Sequence, residues 1–168
     1  MKTKDRPFEL CDLIRETAFA IHRYHGPGHF ERIYENALVH RLRKRGLSVA
    51  QQFPLEVRDE DGTLLGDFAA DVIVERLLLL ELKAVRIVAP EHVAQLLGYL
   101  RSARIEHGAL LNFGAPRFQI QMFGMAEARR KSVSGVLIDA TEWRRKVGTA
   151  SAAPPSSADS NSDERNET

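Results

Sequence analysis

The chain has one cysteine, Cys11, among 168 residues. A single cysteine excludes an internal disulfide and a cysteine-ligated zinc cluster. No neighbouring base makes Cys11 a nucleophile, so it reads as a small helix residue. Long apolar runs are also missing. Leu77–Leu80 is far too short to cross a bilayer, and the charged start Met1–Arg6 is not followed by a stretch of signal-peptide length. A cytoplasmic location and no membrane partner are the default expectations. Charge of one sign is lacking too: 24 basic residues face 23 acidic ones, for a net +1. The overall charge therefore does not announce a nucleic-acid binder. The six histidines show no HExxH pattern and no paired zinc spacing. GxSxG, P-loop and GxGxxG patterns are absent, which argues against serine hydrolases, P-loop NTPases and dinucleotide enzymes. No internal repeat is evident.

What is present is a set of charges inside apolar strands. Asp71 lies in Gly66–Val74, and Glu81 and Lys83 follow the run Leu77–Leu80. Side chains alternate along a strand, so Leu77, Leu79, Glu81 and Lys83 share one face and Leu78, Leu80 and Leu82 the other. Both faces begin apolar, which predicts a central strand covered on both sides. Asp71 lies opposite Glu81 only if the intervening turn is centred on Arg76 with an odd number of residues. A two-residue turn at Glu75-Arg76 would put Leu80 opposite Asp71 instead. Two carboxylates can hold a hard divalent cation, and an ammonium beside them can position a water. The plainer reading is that such charges face water at strand ends. The D…ExK spacing alone is short enough to arise by chance.

Around these strands the periodicity predicts two helices, over about 7–25 and 30–45, the second ending at Gly46. Strands are expected over 47–57, 64–74 and 77–85, the first two joined by the turn signal Asp59–Gly62. A helix opened by Pro90 runs to about Ala103, followed by a strand over 108–113 and a short one over 118–123. The order α-α-β-β-β-α-β-β predicts an α/β fold with a mixed sheet and helices packed on it, within a domain over 1–125. Residues 126–147 read as a weakly structured extension containing Trp143. Residues 148–168, poor in anything to bury, read as a disordered tail.

Other polar residues could join the carboxylates. Glu31 and Glu35 are one turn apart on the second helix. Glu31 falls between Leu38 and Leu42 on the helix wheel, where a carboxylate needs a partner. The helix dipole would favour it there as well. Glu35 lies further toward the edge of the apolar face and reads as supporting at most. Gln95 and Tyr99 lie with His92 to one side of the stripe Val93, Leu96, Leu97 and Leu100, and by themselves read as boundary residues. Arg32, Arg41, Arg43, Lys44 and Arg45 could touch phosphate, although a solvated helix face explains most of them.

Taken together, Gly28-His29-Phe30-Glu31-Arg32-Ile33-Tyr34, Gly66…Asp71, Glu81-Leu82-Lys83, Gln95…Tyr99 and Leu111-Asn112-Phe113-Gly114 resemble the GxxExxY family of the PD-(D/E)XK nuclease superfamily. The likeness covers roughly residues 8–123. It departs at Ala69-Ala70, where relatives often carry a basic residue. The resemblance implies a restriction-endonuclease-like α-β-β-β-α-β core with an extra N-terminal helix. It also implies Mg²⁺- or Mn²⁺-dependent hydrolysis of phosphodiester bonds. Asp71, Glu81 and the backbone carbonyl of Leu82 would hold the metal, with Glu31 as the added helix carboxylate. Lys83 would orient and help deprotonate the attacking water. Gln95 and Tyr99 match the Q-x-x-x-Y motif of RecB-like members and would steady the phosphate. The implied partner is nucleic acid, DNA before RNA, and many small members form homodimers. The alternatives are a non-catalytic nucleic-acid-binding or assembly module and a hydrolase of small phosphoesters.

Overall fold

The computed structural model describes residues 6–125. The expected extension over 126–147 and tail over 148–168 lie outside the described residues. The elements come in the expected order: α1 (Arg6–His25), α2 (Glu31–Lys44), β1 (Val49–Arg58), β2 (Leu64–Val74), β3 (Leu78–Lys83), α3 (Pro90–Ala103), β4 (His107–Asn112) and β5 (Gln119–Gly124). The five strands form one mixed sheet ordered β1-β2-β3-β4-β5. Neighbours pair antiparallel except β3 and β4, which run parallel across the α3 crossover.

The leucine run makes β3 the central strand. Leu78, Leu80 and Leu82 are buried against α1 and α2, in a core with Ile14, Ile21, Leu38 and Leu42. Leu79 is buried on the other face with Leu96 and Leu100 of α3. Gly108 permits the close approach on that second face, since a Cβ there would lie 2.9 Å from Leu100 and 3.1 Å from the Leu79 carbonyl. Pro54, which cannot donate to a ladder, is tolerated in β1 because β1 is an edge strand.

The β2–β3 turn settles the register. Glu75 and Arg76 both adopt left-handed backbone, φ 52° and 59°, and Leu77 N–H donates to the Val74 carbonyl at 3.0 Å. That is the tight turn of a two-residue hairpin. Yet Val74 pairs with Leu78, Ile73 with Leu79 and Val72 with Leu80. Leu77 is therefore an extra residue pushed out of the ladder, 40% exposed, and does not begin the strand as its sequence suggested. The loop is odd, Glu75-Arg76-Leu77. Continued by one step, the register brings Asp71 opposite Glu81. The non-glycine left-handed residues are anchored at Ser48, whose N–H donates to the Glu75 carboxylate at 2.8 Å and whose carbonyl accepts the Glu75 N–H.

Candidate active site

Beyond Val72 and Leu80 the β2–β3 ladder stops. The Asp71 side chain takes over: its Oδ2 accepts the Leu82 N–H at 2.8 Å. A carboxylate bonded to the neighbouring strand's backbone lies between the strands rather than standing on one face of the sheet. Here the structure departs from the simple alternation read from the sequence. The carboxylate splits the sheet into a fork, so groups from either face can approach it. An extended residue's N–H and C=O point to the same side. The Leu82 carbonyl therefore also faces the fork, while Lys83 keeps its pairing with β4, its carbonyl accepting the Phe113 N–H at 2.8 Å.

Glu81 is 2% exposed. Its Oε1 is 2.5 Å from the Lys83 ammonium, and its Oε2 is buried with no hydrogen-bond partner among the described residues. Burial, then repulsion from Asp71, push the Glu81 carboxyl up to about 7, against the opposing pull of Lys83. Burial likewise raises Asp71, opposed by the Leu82 N–H and by Lys83. For Lys83 burial works against the charge, but the bond to Glu81 and the fields of Glu81, Glu31 and Asp71 outweigh it and raise the group. In this arrangement Lys83 is an ammonium.

From α2, Glu31 accepts the backbone N–H of Ala84, the residue after Lys83, and feels both Lys83 and Asp71. Burial raises it, and Lys83 opposes that. Glu35 corrects the sequence reading. Expected near the edge, it is 3% exposed, more deeply buried than Glu31. Its partners explain this: Gln51 donates to its Oε1 at 2.8 Å, and Gln52 donates to both oxygens at 3.0 Å. Gln52 also donates to Asp71 Oδ1 at 3.3 Å. It bridges α2 to β2 from a left-handed backbone, φ 49°, at the β1 position facing Asp71. Sequence reasoning missed Gln52. Only its place across the hairpin from Asp71 could have marked it.

Asn112 lies in the Leu111–Gly114 motif at the end of β4. It is 1% exposed, and its Oδ1 accepts the N–H groups of Val85 and Gly114, each at 3.1 Å. A Cβ on Gly114 would lie 2.3 Å from the Ala84 carbonyl carbon. Only glycine permits this approach, which fixes the chain leaving Lys83. Gln95 and Tyr99 pair with each other, Gln95 Nε2 to Tyr99 Oη at 2.6 Å, and the Tyr99 ring stacks on Phe68 at 4.0 Å. No bond joins either one to the carboxylates among the described residues. The fork thus gathers Asp71, Glu81, Lys83 and Glu31, while Gln95 and Tyr99 bond to each other.

Among the described residues, no three His, Cys, Asp or Glu side chains form a ready cation cage. What the fork offers is two carboxylates and a backbone carbonyl turned toward them, one of the carboxylate oxygens being buried without a partner among the described residues. Those donors suit a hard divalent cation. Comparison with protein families points the same way: the model of the PD-(D/E)XK nuclease superfamily matches residues 8–123. The chain belongs to this superfamily. No curated protein and no solved structure matches significantly. The mixed five-stranded sheet with its helices is consistent with a PD-(D/E)XK core, and the superfamily match points to a nuclease. No helix of the described residues is long and apolar enough to cross a membrane.

Proposed function

We propose that the protein is a divalent-metal-dependent nuclease, with Mg²⁺ or Mn²⁺ as cofactor and DNA as the first substrate to test. The buried, unpartnered Oε2 of Glu81 beside Asp71 carries this reading. Asp71, Glu81 and the Leu82 carbonyl would hold the cation, which when bound supplies positive charge against the scissile phosphate. Glu31 would close the site from the α2 side. Lys83, as an ammonium, orients the attacking water and faces the charge that builds on the phosphate. Asn112 and Gly114 position the exit of β3, and Gln52 positions Asp71. Gln95 and Tyr99 would contact a substrate phosphate.

The GxxExxY assignment is finer than the superfamily match and belongs to this proposal. Each motif residue has a physical task. Gly28 adopts φ 112°, Glu31 reaches the end of β3, and buried Tyr34 ties the preceding loop by donating to the Gly26 carbonyl at 2.6 Å.

The test is cleavage of single- and double-stranded DNA by purified protein with Mg²⁺ or Mn²⁺. Lys83→Ala should slow cleavage by roughly 100-fold or more. Equal cleavage by Lys83→Ala and wild type would overturn the mechanism. Binding without cleavage, insensitive to chelator, would indicate the non-catalytic alternative.

A further inference from the structure

Phe30 is the N-cap of α2 and the residue before Glu31. It is 88% exposed and provides no side-chain cap. Serine, threonine, asparagine or aspartate would be preferred at this position. A large apolar ring there is unfavourable for solubility and contributes nothing to the helix. Local rules broken beside a reactive centre point to function. The ring is not alone. Tyr24, 79% exposed, meets His25 edge-on at 4.8 Å, His25 meets His29 at 5.9 Å, and His29 meets Tyr34 at 5.9 Å. Rings therefore run from exposed Tyr24 along the α1–α2 loop to buried Tyr34, and Phe30 stands beside them in the chain, next to the carboxylate that reaches β3.

On the other side of Glu31 is Arg32, exposed and without a hydrogen bond or ion pair among the described residues. It lines an open cleft of about 400 Å³ with Arg43, Gln51 and Gln52. Gln52 is the residue bonded to Asp71, so this cleft leads to the fork. Aromatic rings that stack bases beside cations that follow the backbone are the means by which proteins hold unpaired strands. A base pair inside a duplex has both faces covered by its neighbours and cannot use such a ring, and a blunt duplex offers only its two terminal pairs.

We infer that the start of α2 is a track for an unpaired nucleic-acid strand, Phe30 stacking a base and Arg32 meeting a phosphate, so that single-stranded or frayed substrates are preferred over blunt duplex. This rests on the nuclease reading for its purpose, but binding tests it separately. Affinity is measured in the Lys83→Ala background with Mg²⁺, using a labelled single-stranded deoxyoligonucleotide and the same sequence as a blunt duplex. Adding Phe30→Ala should weaken single-strand binding about tenfold and leave duplex binding unchanged. Phe30→Trp should restore binding, with its fluorescence quenched by the strand, and Phe30→Leu should not. Arg32→Ala should lower the slope of log affinity against log salt by about 0.7 for the single strand. Unchanged single-strand affinity in Phe30→Ala, equal loss on both substrates, or full rescue by Leu would overturn the inference. If the strand binds as described but wild type cuts nothing, the nuclease reading fails and the track stands.

Discussion

Glu81 shows how one buried group can link stability to function. Its carboxyl titrates near 7 in the folded chain, against an ordinary 4.5. Between those values the native state holds a proton that the unfolded state has released, so stability falls as pH rises. The contribution is complete below about pH 4.5 and gone once the pH has passed about 7. Asp71 and Glu31 are raised as well and act in the same direction. With chelator present, the melting temperature of wild type relative to Glu81→Gln should therefore fall from pH 5 to pH 8. A parallel pair of curves would refute the shift. Cation binding requires that proton to leave. Stabilisation by Mg²⁺ should thus be larger at pH 8 than at pH 6 in wild type, and small at both in Glu81→Gln.

At the scale of elements, the decisive piece is the loop Glu75-Arg76-Leu77. Were Val74 to pair with Leu77 across the two left-handed residues, Leu80 would lie opposite Asp71 and Glu81 would go to the other face. The extra residue Leu77, outside the ladder, goes with the other register. Deleting Leu77 leaves Glu75-Arg76 as the turn and Val74 opposite Leu78, so Asp71 stays opposite Glu81. Cleavage should be retained within several-fold, and a loss of about 100-fold or more, the size of removing a catalytic group, would show that the β2–β3 register is not what assembles the site. The sequence posed this question and left it open, because turn conformation at Glu75 and Arg76 depends on the anchor at Ser48, distant in the chain. The helices and strands were more legible. Their periodicity, the glycine at position 46 and the proline at position 90 are local signals, and all eight elements appeared in the expected order with their ends shifted by no more than about two residues.

For the whole molecule, one sheet serves two cores. Leu80 is buried toward α1 and α2 and Leu79 toward α3, on the same strand. Leu80→Ala and Leu79→Ala should each cost about 2–5 kcal/mol. Because β3 belongs to both cores, each variant should still unfold in one transition, coincident by far-ultraviolet circular dichroism and by hydrogen exchange in the helices. Two separated transitions in either variant would show that the faces are independent.

By itself the sequence determined the order of elements, the central place of β3 and the identity of the charges Asp71, Glu81 and Lys83, since strand periodicity and the cost of burying charge are written locally. Tertiary structure decided which groups meet. It brought Glu31 to the end of β3 and buried Glu35 with two glutamines that no spacing rule joins to it. It made Gln52 the bridge to Asp71, and it left Gln95 and Tyr99 bonded to each other. These pairings depend on where strands part and how helices lie across them, and such distances exist only once the chain has closed on itself.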